Sequence, residues 1–264
     1  MLQSNELFAD AARRGRRIGH TVEVHASIGS TNDRARELLA SPTGEGTAVV
    51  AEEQRLGRGR RGRTWISPPG RNLTMSVGIR PRLAATDAWQ LGLAAALAAR
   101  GACAEVAPVW LKWPNDVIAD DGRKLGGLLV ETAINDASLT EAVVGIGLNV
   151  NWATAEMPDE IAATATSLAS LSGSEVDRAA LLGRLLGELD EEVRRIESGQ
   201  SPLTRYREAC RTVGAPVVVD LGTHQVRGLA TGIDDHGGLQ VETAGGLVTV
   251  ATGEVVHARA AAGA

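Results

Sequence analysis

Polar and apolar residues alternate over 21–26, with Val22 and Val24 on one face, and predict a first strand. Ser27 to Asn32 reads as a turn. Ser30 or Thr31 can cap the helix that follows, whose apolar positions Ala35, Leu38 and Leu39 recur at helical spacing. Apolar runs at 46–53, 72–79, 109–113 and 139–150 predict further strands, and 117–131 reads as a hairpin through Asp120-Asp121-Gly122. The nearly chargeless Ala/Leu stretch at 89–99 predicts a buried helix. The clearest amphipathic helix spans 177–196, with Leu181, Leu182, Leu185, Leu186, Leu189, Val193 and Ile196 on one stripe. A shorter helical piece follows at 202–210. After Gly214 the pattern changes to short β runs at 216–220, 225–233, 239–243 and 247–250, separated by Gly- and Asp-rich turns. Such spacing predicts a small antiparallel barrel of about 45 residues.

The division expected is a flexible arm at 1–19, an α+β body at 20–212 and a barrel at 213–258, with the last residues frayed. Arg13, Arg14, Arg16 and Arg17 are expected to lie on the solvated arm.

At 264 residues and 44 % hydrophobic content the chain is globular rather than disordered. A net charge of −5 and a pI near 5.6 argue against whole-protein attraction to nucleic acid or anionic membrane. Aromatics at 3 % weaken a base-stacking platform. Cys103 and Cys210 have neither metal-ligand nor redox spacing and read as reduced, buried thiols. No signal sequence or membrane-length apolar run stands out, so a cytoplasmic protein is expected.

One stretch departs from this acidic background. Between Glu52 and Trp65, Arg55, Arg58, Arg60, Arg61 and Arg63 are interleaved with Gly57, Gly59 and Gly62. A packed core does not accept that many unpartnered guanidinium groups, and the glycines disfavour helix and strand. The stretch is expected to be a mobile cationic surface loop that binds either a small phosphate compound or a nucleic acid. Glycines also cluster at Gly126-Gly127 and at Gly145 with Gly147, at places that read either as bends in a curved sheet or as close approaches to a ligand.

Ser30-Thr31-Asn32 is either a cap alone or a set of polar groups for a small ligand. In Lys112-Trp113-Pro114-Asn115-Asp116 the proline forces a break, after which Asn115 and Asp116 sit beyond a strand end. Asp116 could hold Mg²⁺, or the pair could form only an Asx turn. Lys124 precedes an apolar run and is either at the rim of a dry pocket or an exposed hairpin lysine. The chain has no P-loop and no nucleophile elbow, and His20, His25, His224, His236 and His257 show no metal-ligand spacing.

Taken together, Ser30-Thr31-Asn32, Gln54 with Gly57-Arg58-Gly59-Arg60-Arg61-Gly62, Lys112-Trp113-Pro114-Asn115-Asp116, Lys124-Leu125-Gly126-Gly127 and Gly145-Ile146-Gly147-Leu148-Asn149 resemble the biotin protein ligases, from about Val22 to Val256. The one departure is Gly126, where the family pattern has Ala; a smaller residue is expected to loosen the pocket wall slightly.

The resemblance implies an α+β fold: a class II synthetase-like catalytic domain on a mixed, mainly antiparallel sheet, followed by a Src-homology-3-like barrel. It implies ATP-dependent transfer of biotin, through biotinyl-5′-adenylate, to a lysine of a biotin carboxyl carrier domain of an acyl-CoA or pyruvate carboxylase. MgATP is the co-substrate. The chain before Thr21 looks too short for the winged helix of the repressor members, so no DNA binding is expected, and a monomer or weak homodimer is.

The residue roles it implies are as follows. Ser30, Thr31, Asn32, Gln54, Arg58, Gly59, Arg60, Trp65, Lys124, Gly126 and Gly127 contact biotin. Arg58, Arg60, Arg61, Lys112, Asn115 and Asn149 contact ATP. Arg58, Arg60, Lys124 and Asp116 carry the chemistry, with Asp116 also the candidate for Mg²⁺ and for the base that deprotonates the acceptor lysine. Two other readings remain at this point. One is a lipoate or octanoate ligase of the same fold, and the other is a nucleic-acid-binding protein using the arginine loop.

Overall fold

The computed structural model describes Phe8, Ala11 and residues 16–257. Two sheets organise it. The first has seven strands in the order β1-β2-β3-β7-β6-β5-β4: β1 (Val22–His25), β2 (Ala48–Ala51), β3 (Leu73–Ile79), β4 (Val109–Lys112), β5 (Asp116–Ala119), β6 (Lys124–Asn135) and β7 (Ser138–Leu148). Only β1 and β2 pair in parallel, across the helix α1 (Thr31–Leu39) that connects them. The other neighbours are antiparallel. The fold is therefore α+β on a mixed, mainly antiparallel sheet, as expected.

Alternation of side chains across the sheet divides the molecule into two layers. One face carries Val50, Met75, Val77, Val144 and Ile146, and buries them in the main core with α2 (Trp89–Ala104) and α5 (Arg178–Glu197). The α5 stripe is buried throughout, and the Asp177 carboxylate caps the helix by accepting from the backbone N–H of Ala179 and Ala180. Such a cap contributes about 1 kcal/mol.

On the opposite face α1 packs Ala35 and Leu39 against Val49 and Val143. It can do so because Gly78 lies beneath it, where a β-carbon would stand 2.7 Å from the Ala35 carbonyl. Beyond the helix N-terminus this face is almost bare. Ser76 stands between Gly145 and Val49, and Thr74 opposite Gly147, which in turn faces Gly127. Three glycines in adjoining rows leave a trough that no side chain of the sheet fills.

Three short helices complete the body: α3 (Asp159–Ala162), α4 (Leu168–Ser172) and α6 (Leu203–Ala209). The sequence pattern did not identify α3 or α4; both are too short for a helical period to register. The second sheet has β8 (Pro216–Asp220), β9 (Gln225–Ile233), β10 (Leu239–Thr243), β11 (Gly246–Val250) and β12 (Glu254–His257) in the antiparallel order β11-β10-β9-β8-β12. It corresponds to the small barrel. Trp113 anchors it to the body: its backbone N–H donates to Thr212 Oγ1 at 3.0 Å and its indole Nε1 to the Gly237 carbonyl at 2.9 Å.

The arm expected at 1–19 needs correction where it is described. Phe8 and Ile18 are fully buried, the Ile18 N–H donates to Asp190 Oδ1 at 3.0 Å, and Arg17 pairs with Glu45 and Glu197 at 2.8 and 2.6 Å. Apolar residues spaced among the arginines give this segment something to bury, which the charge pattern alone obscured. Arg13, Arg14 and residues 258–264 lie outside the described residues. Both cysteines are free and buried; burial pushes the Cys103 thiol up to about 12 and raises that of Cys210.

Candidate active site

A cavity of about 290 Å³ occupies the glycine-floored trough. Its polar end is made by the start of α1, by Gln54 at the mouth of the arginine loop, and by Ser76 on β3. Gln54 Oε1 accepts from the Thr31 backbone N–H at 2.8 Å and lies 3.0 Å from Thr31 Oγ1. Thr31 Oγ1 is 2.7 Å from Ser76 Oγ, which donates to Asn32 Oδ1 at 2.6 Å. Asn32 Nδ2 donates to Glu131 Oε2 at 2.7 Å. Ser30, Thr31, Asn32 and Ser76 are all buried. The Ser30 side chain makes no capping bond, so a cap alone does not account for these residues.

The floor explains two of the glycines. A β-carbon on Gly145 would lie 2.2 Å from Asn32 Oδ1, and one on Gly147 would lie 2.5 Å from the Trp65 ring. The bare backbone is what lets Asn32 and Trp65 lie across β7. Lys124 Nζ stands 5.9 Å from the Trp65 ring centre, within cation–π range. Trp65 Nε1 is buried without a hydrogen-bond partner.

The cationic rim comes from the arginine loop and from Lys124. Arg58 forks onto Asp33 through two hydrogen bonds of 2.8 and 2.6 Å. That contact holds the Asp33 carboxyl below its ordinary value, against the opposing effect of burial, and raises Arg58. Arg60 reaches Asn115 Oδ1 at 3.4 Å and Thr252 Oγ1 at 2.7 Å. Burial lowers Arg60, with Asp116 opposing, and burial also lowers Lys112, again with Asp116 opposing. Cations held down by desolvation more than they are lifted by counter-charges leave an electropositive site that favours an anion.

The loop itself is a folded turn rather than a free strap. A short 3₁₀ segment spans Arg60–Gly62, with Arg61 at φ 57°. Gly59 N–H donates to the Arg63 carbonyl at 2.7 Å, and Trp65 N–H to that of Gly57 at 3.0 Å. Three arginines tie the loop to the barrel. Besides Arg60 on Thr252, Arg61 donates to the Asp220 carbonyl at 2.6 Å and Arg63 pairs with Glu254 at 2.6 Å. Arg55 donates to Ser27 Oγ at 3.0 Å. Guanidinium groups engaged within the protein are poorly placed to track a nucleic-acid backbone, and that reading is not favoured.

The structure brings most of the expected residues together and sets four apart. Ser30, Thr31, Asn32, Gln54, Arg58, Gly59, Arg60, Trp65, Asn115, Lys124, Gly127 and Asn149 line the cavity; Arg61, Lys112, Asp116 and Gly126 do not. Arg61 is turned onto the barrel. Lys112 is half-buried on β4. Gly126 has the opposite parity to Gly127, so its missing β-carbon would press on Leu148 and the Gly147 carbonyl at 2.6 Å and cannot loosen the pocket wall. Asp116 stands behind Lys124, whose Nζ it binds at 2.7 Å. It is therefore a partner of that lysine, with its Oδ1 3.7 Å from where a β-carbon on Gly127 would stand. No cluster of three or more His, Cys, Asp or Glu that could hold a metal occurs among the described residues. Asn149 lines the cavity with its amide already engaged by Asn72 and the Thr166 carbonyl.

Sequence reasoning missed the far wall. Trp152, Glu160, Ile161, Thr164 and Ala165 close the cavity opposite the sheet, and the segment joins β6 edge-on where Lys124 N–H donates to the Thr164 carbonyl at 2.8 Å. No periodicity marks this segment. Ser76, Leu129 and Ile146 were also missed; the parity of their strands, once Gly145 and Gly147 were taken as pocket-facing, would have found Ser76 and Leu129.

Similarity to known proteins agrees with this geometry. Residues 24–149 match the model of the biotin/lipoate A/B protein ligase family, and residues 212–258 that of the biotin protein ligase C terminal domain. The biotin--[acetyl-CoA-carboxylase] ligase of Mycobacterium tuberculosis is 38 % identical over 247 residues, covering 90 % of this chain and 89 % of that protein. The bifunctional ligase/repressor BirA of Bacillus subtilis is 32 % identical, covering 90 % and 74 %. The biotin protein ligase of Aquifex aeolicus, solved in complex with biotin and ATP, superposes with a TM-score of 0.77 at 30 % identity, covering 91 % of this chain and 99 % of that one. Cavity, two-sheet architecture and full-length relatives agree, and the chain belongs to the biotin protein ligase family.

Proposed function

We propose that this site condenses biotin with ATP and passes the biotinyl group to a lysine of a biotin carboxyl carrier domain. The observation that carries the reading is the shape of the cavity. The start of α1, Gln54 and Ser76 make a polar flank, the floor is glycine and apolar side chains, and Arg58, Arg60 and Lys124 bring positive charge to the same cavity. A bicyclic urea with an aliphatic arm ending in a carboxylate has that polarity. A dithiolane or plain acyl chain brings no polar group to the flank made by Thr31, Gln54 and Ser76, which disfavours lipoate or octanoate.

In the first step a carboxylate oxygen of biotin bonds to the α-phosphorus of ATP while the bridging bond to the β-phosphate breaks and pyrophosphate leaves. Two anions must meet, so fixed positive charge is the main requirement, and no covalent intermediate on the protein is needed. Arg58, Arg60 and Lys124 meet the carboxylate and phosphate oxygens, Asp116 holds Lys124 in place, and Mg²⁺ arrives as MgATP. In the second step the acceptor lysine nitrogen attacks the acyl carbon and the bond to AMP breaks. Trp65, from one side, and Trp152 with Ile161, from the other, keep water from the mixed anhydride in between. The acceptor is a carrier domain in the cytoplasm; among the described residues no helix is long and apolar enough to cross a membrane.

The test is mass spectrometry of a carrier domain incubated with the purified chain, biotin and MgATP. One added biotinyl group, with stoichiometric pyrophosphate, is expected. An unmodified carrier and no pyrophosphate would refute the reading.

A further inference from the structure

The cavity opens between two lips. Its lining residues are exposed in only two places: Arg58, Arg63, Thr64 and Ile66 on the arginine loop, and Glu160 and Thr164 on the far wall. The lips differ in charge. Arg58, Arg60, Arg63 and Lys124 bring four cations to the lining, and Glu160 is its one carboxylate among the described residues. At the mouth the loop cations are already engaged, Arg58 with Asp33 and Arg63 with Glu254, each at 2.6 Å. The Glu160 carboxylate has neither an ion pair nor a hydrogen bond among the described residues.

The wall that carries Glu160 is fastened beside Lys124. The Lys124 N–H donates to the Thr164 carbonyl at 2.8 Å, and the Thr166 N–H donates to the Lys124 carbonyl at 2.9 Å. The N–H groups of Thr164 and Ala165 in turn donate to the Ile161 carbonyl at 2.9 and 2.8 Å. Glu160 therefore stands one helical turn before the residue bonded to Lys124. Asp116, the other carboxylate in this region, is bound to Lys124 Nζ at 2.7 Å and does not line the cavity.

We propose that Glu160 receives the ammonium group of the acceptor lysine at the cavity mouth and thereby makes the transfer step selective for a cationic acceptor. The inference rests on the reading of the cavity as the site of biotinyl transfer. An ammonium group that approaches along the loop meets Arg58 and Arg63, whereas along the far wall it meets a carboxylate with no other partner. A charge at the rim acts on encounter and on its salt dependence. It should leave adenylate formation alone, because biotin and ATP are both anions and are held by the cations.

The experiment separates the two steps in the full chain. Pyrophosphate release from biotin and MgATP is followed first, without carrier. A biotin carboxyl carrier domain is then added to the preloaded protein in single-turnover transfer at low and at high ionic strength. Glu160→Gln should raise the half-saturating carrier concentration about fivefold at low ionic strength, with pyrophosphate release unchanged. Glu160→Lys should raise it further, and the differences should shrink at high ionic strength. Capture of the bound adenylate by hydroxylamine, a neutral nucleophile, should proceed at the wild-type rate in both variants. Asp159→Asn removes the same charge from an exposed neighbour that does not line the cavity, and should have little effect. An unchanged carrier requirement in both Glu160 variants, an equal rise in Asp159→Asn, or an equal slowing of hydroxylamine capture overturns the proposal. Absence of pyrophosphate from the wild-type protein would instead overturn the assignment of the cavity.

Discussion

Lys124 Nζ is bound by Asp116 Oδ1 at 2.7 Å, with the lysine at the cavity edge and the carboxylate behind it. The pair links two strands across a turn, since Asp116 opens β5 and Lys124 opens β6. One group thus faces the ligand and the other aims it. Lys124→Ala should slow pyrophosphate release from biotin and ATP by about 10²–10³-fold, the usual effect of deleting one charge-stabilising donor. Asp116→Asn, which keeps Lys124 but frees it, should cost less. Equal losses in single-turnover measurements of the two variants would contradict this order.

Gly147 supports Trp65 by having no side chain. Gly147→Ala would put a β-carbon 2.5 Å from the indole, so the ring must lift off the sheet. Overpacking of this kind costs about 1–3 kcal/mol. The expected result is a biotin KM raised tenfold or more and a shift in Trp fluorescence on biotin binding that differs from the wild type. A variant with unchanged KM would show that Trp65 does not close over the ligand.

Arg58 and Asp33 give a pH signature. The hydrogen bond from Arg58 holds the Asp33 carboxyl below its ordinary 3.8, with burial opposing. A carboxyl lowered in the folded state contributes stability that is present above its unfolded value and is lost as pH falls through the folded one. The loop's tether to α1 should therefore persist at pH 5 and fail only below pH 4. Carboxyl-carbon NMR should place the Asp33 titration below 3.8 in the wild type and closer to it in Arg58→Ala. Because both side chains are well exposed, little effect on the melting temperature is expected. The visible consequence of Arg58→Ala should be escape of biotinyl-adenylate to solvent, read as AMP released without carrier modification.

The barrel holds the loop through Thr252, Glu254 and the Asp220 carbonyl. Each exposed contact is worth about 0.2–1 kcal/mol, so one substitution should do little and two should add. Thr252→Val with Glu254→Gln should speed amide exchange at residues 59–63 severalfold while exchange in β7 is unchanged. Protection equal to the wild type would mean that the loop holds its turn without the barrel.

Much of this was legible beforehand. The period-two runs, the α5 stripe and the short β tail identified the main elements, because burial on one face leaves its period in the residues. The motif blocks named the family and most of the cavity, since arginines among glycines, and glycines at adjoining strand rows, are hard to explain by packing. Residues 151–176 were not readable: they fold as short turns and helices held by contacts to β6 and β7, and contacts leave no period.

What the chain encodes locally is which segments form strands and helices, and which residue types are gathered for anion chemistry. What only the folded molecule decides is direction. Strand parity turns Gly127 to the cavity and Gly126 away from it, the end of a hairpin pairs Asp116 with Lys124, and the barrel, far along the sequence, draws Arg61 off the cavity. These outcomes depend on register and on contacts between distant segments, so no window of sequence contains them.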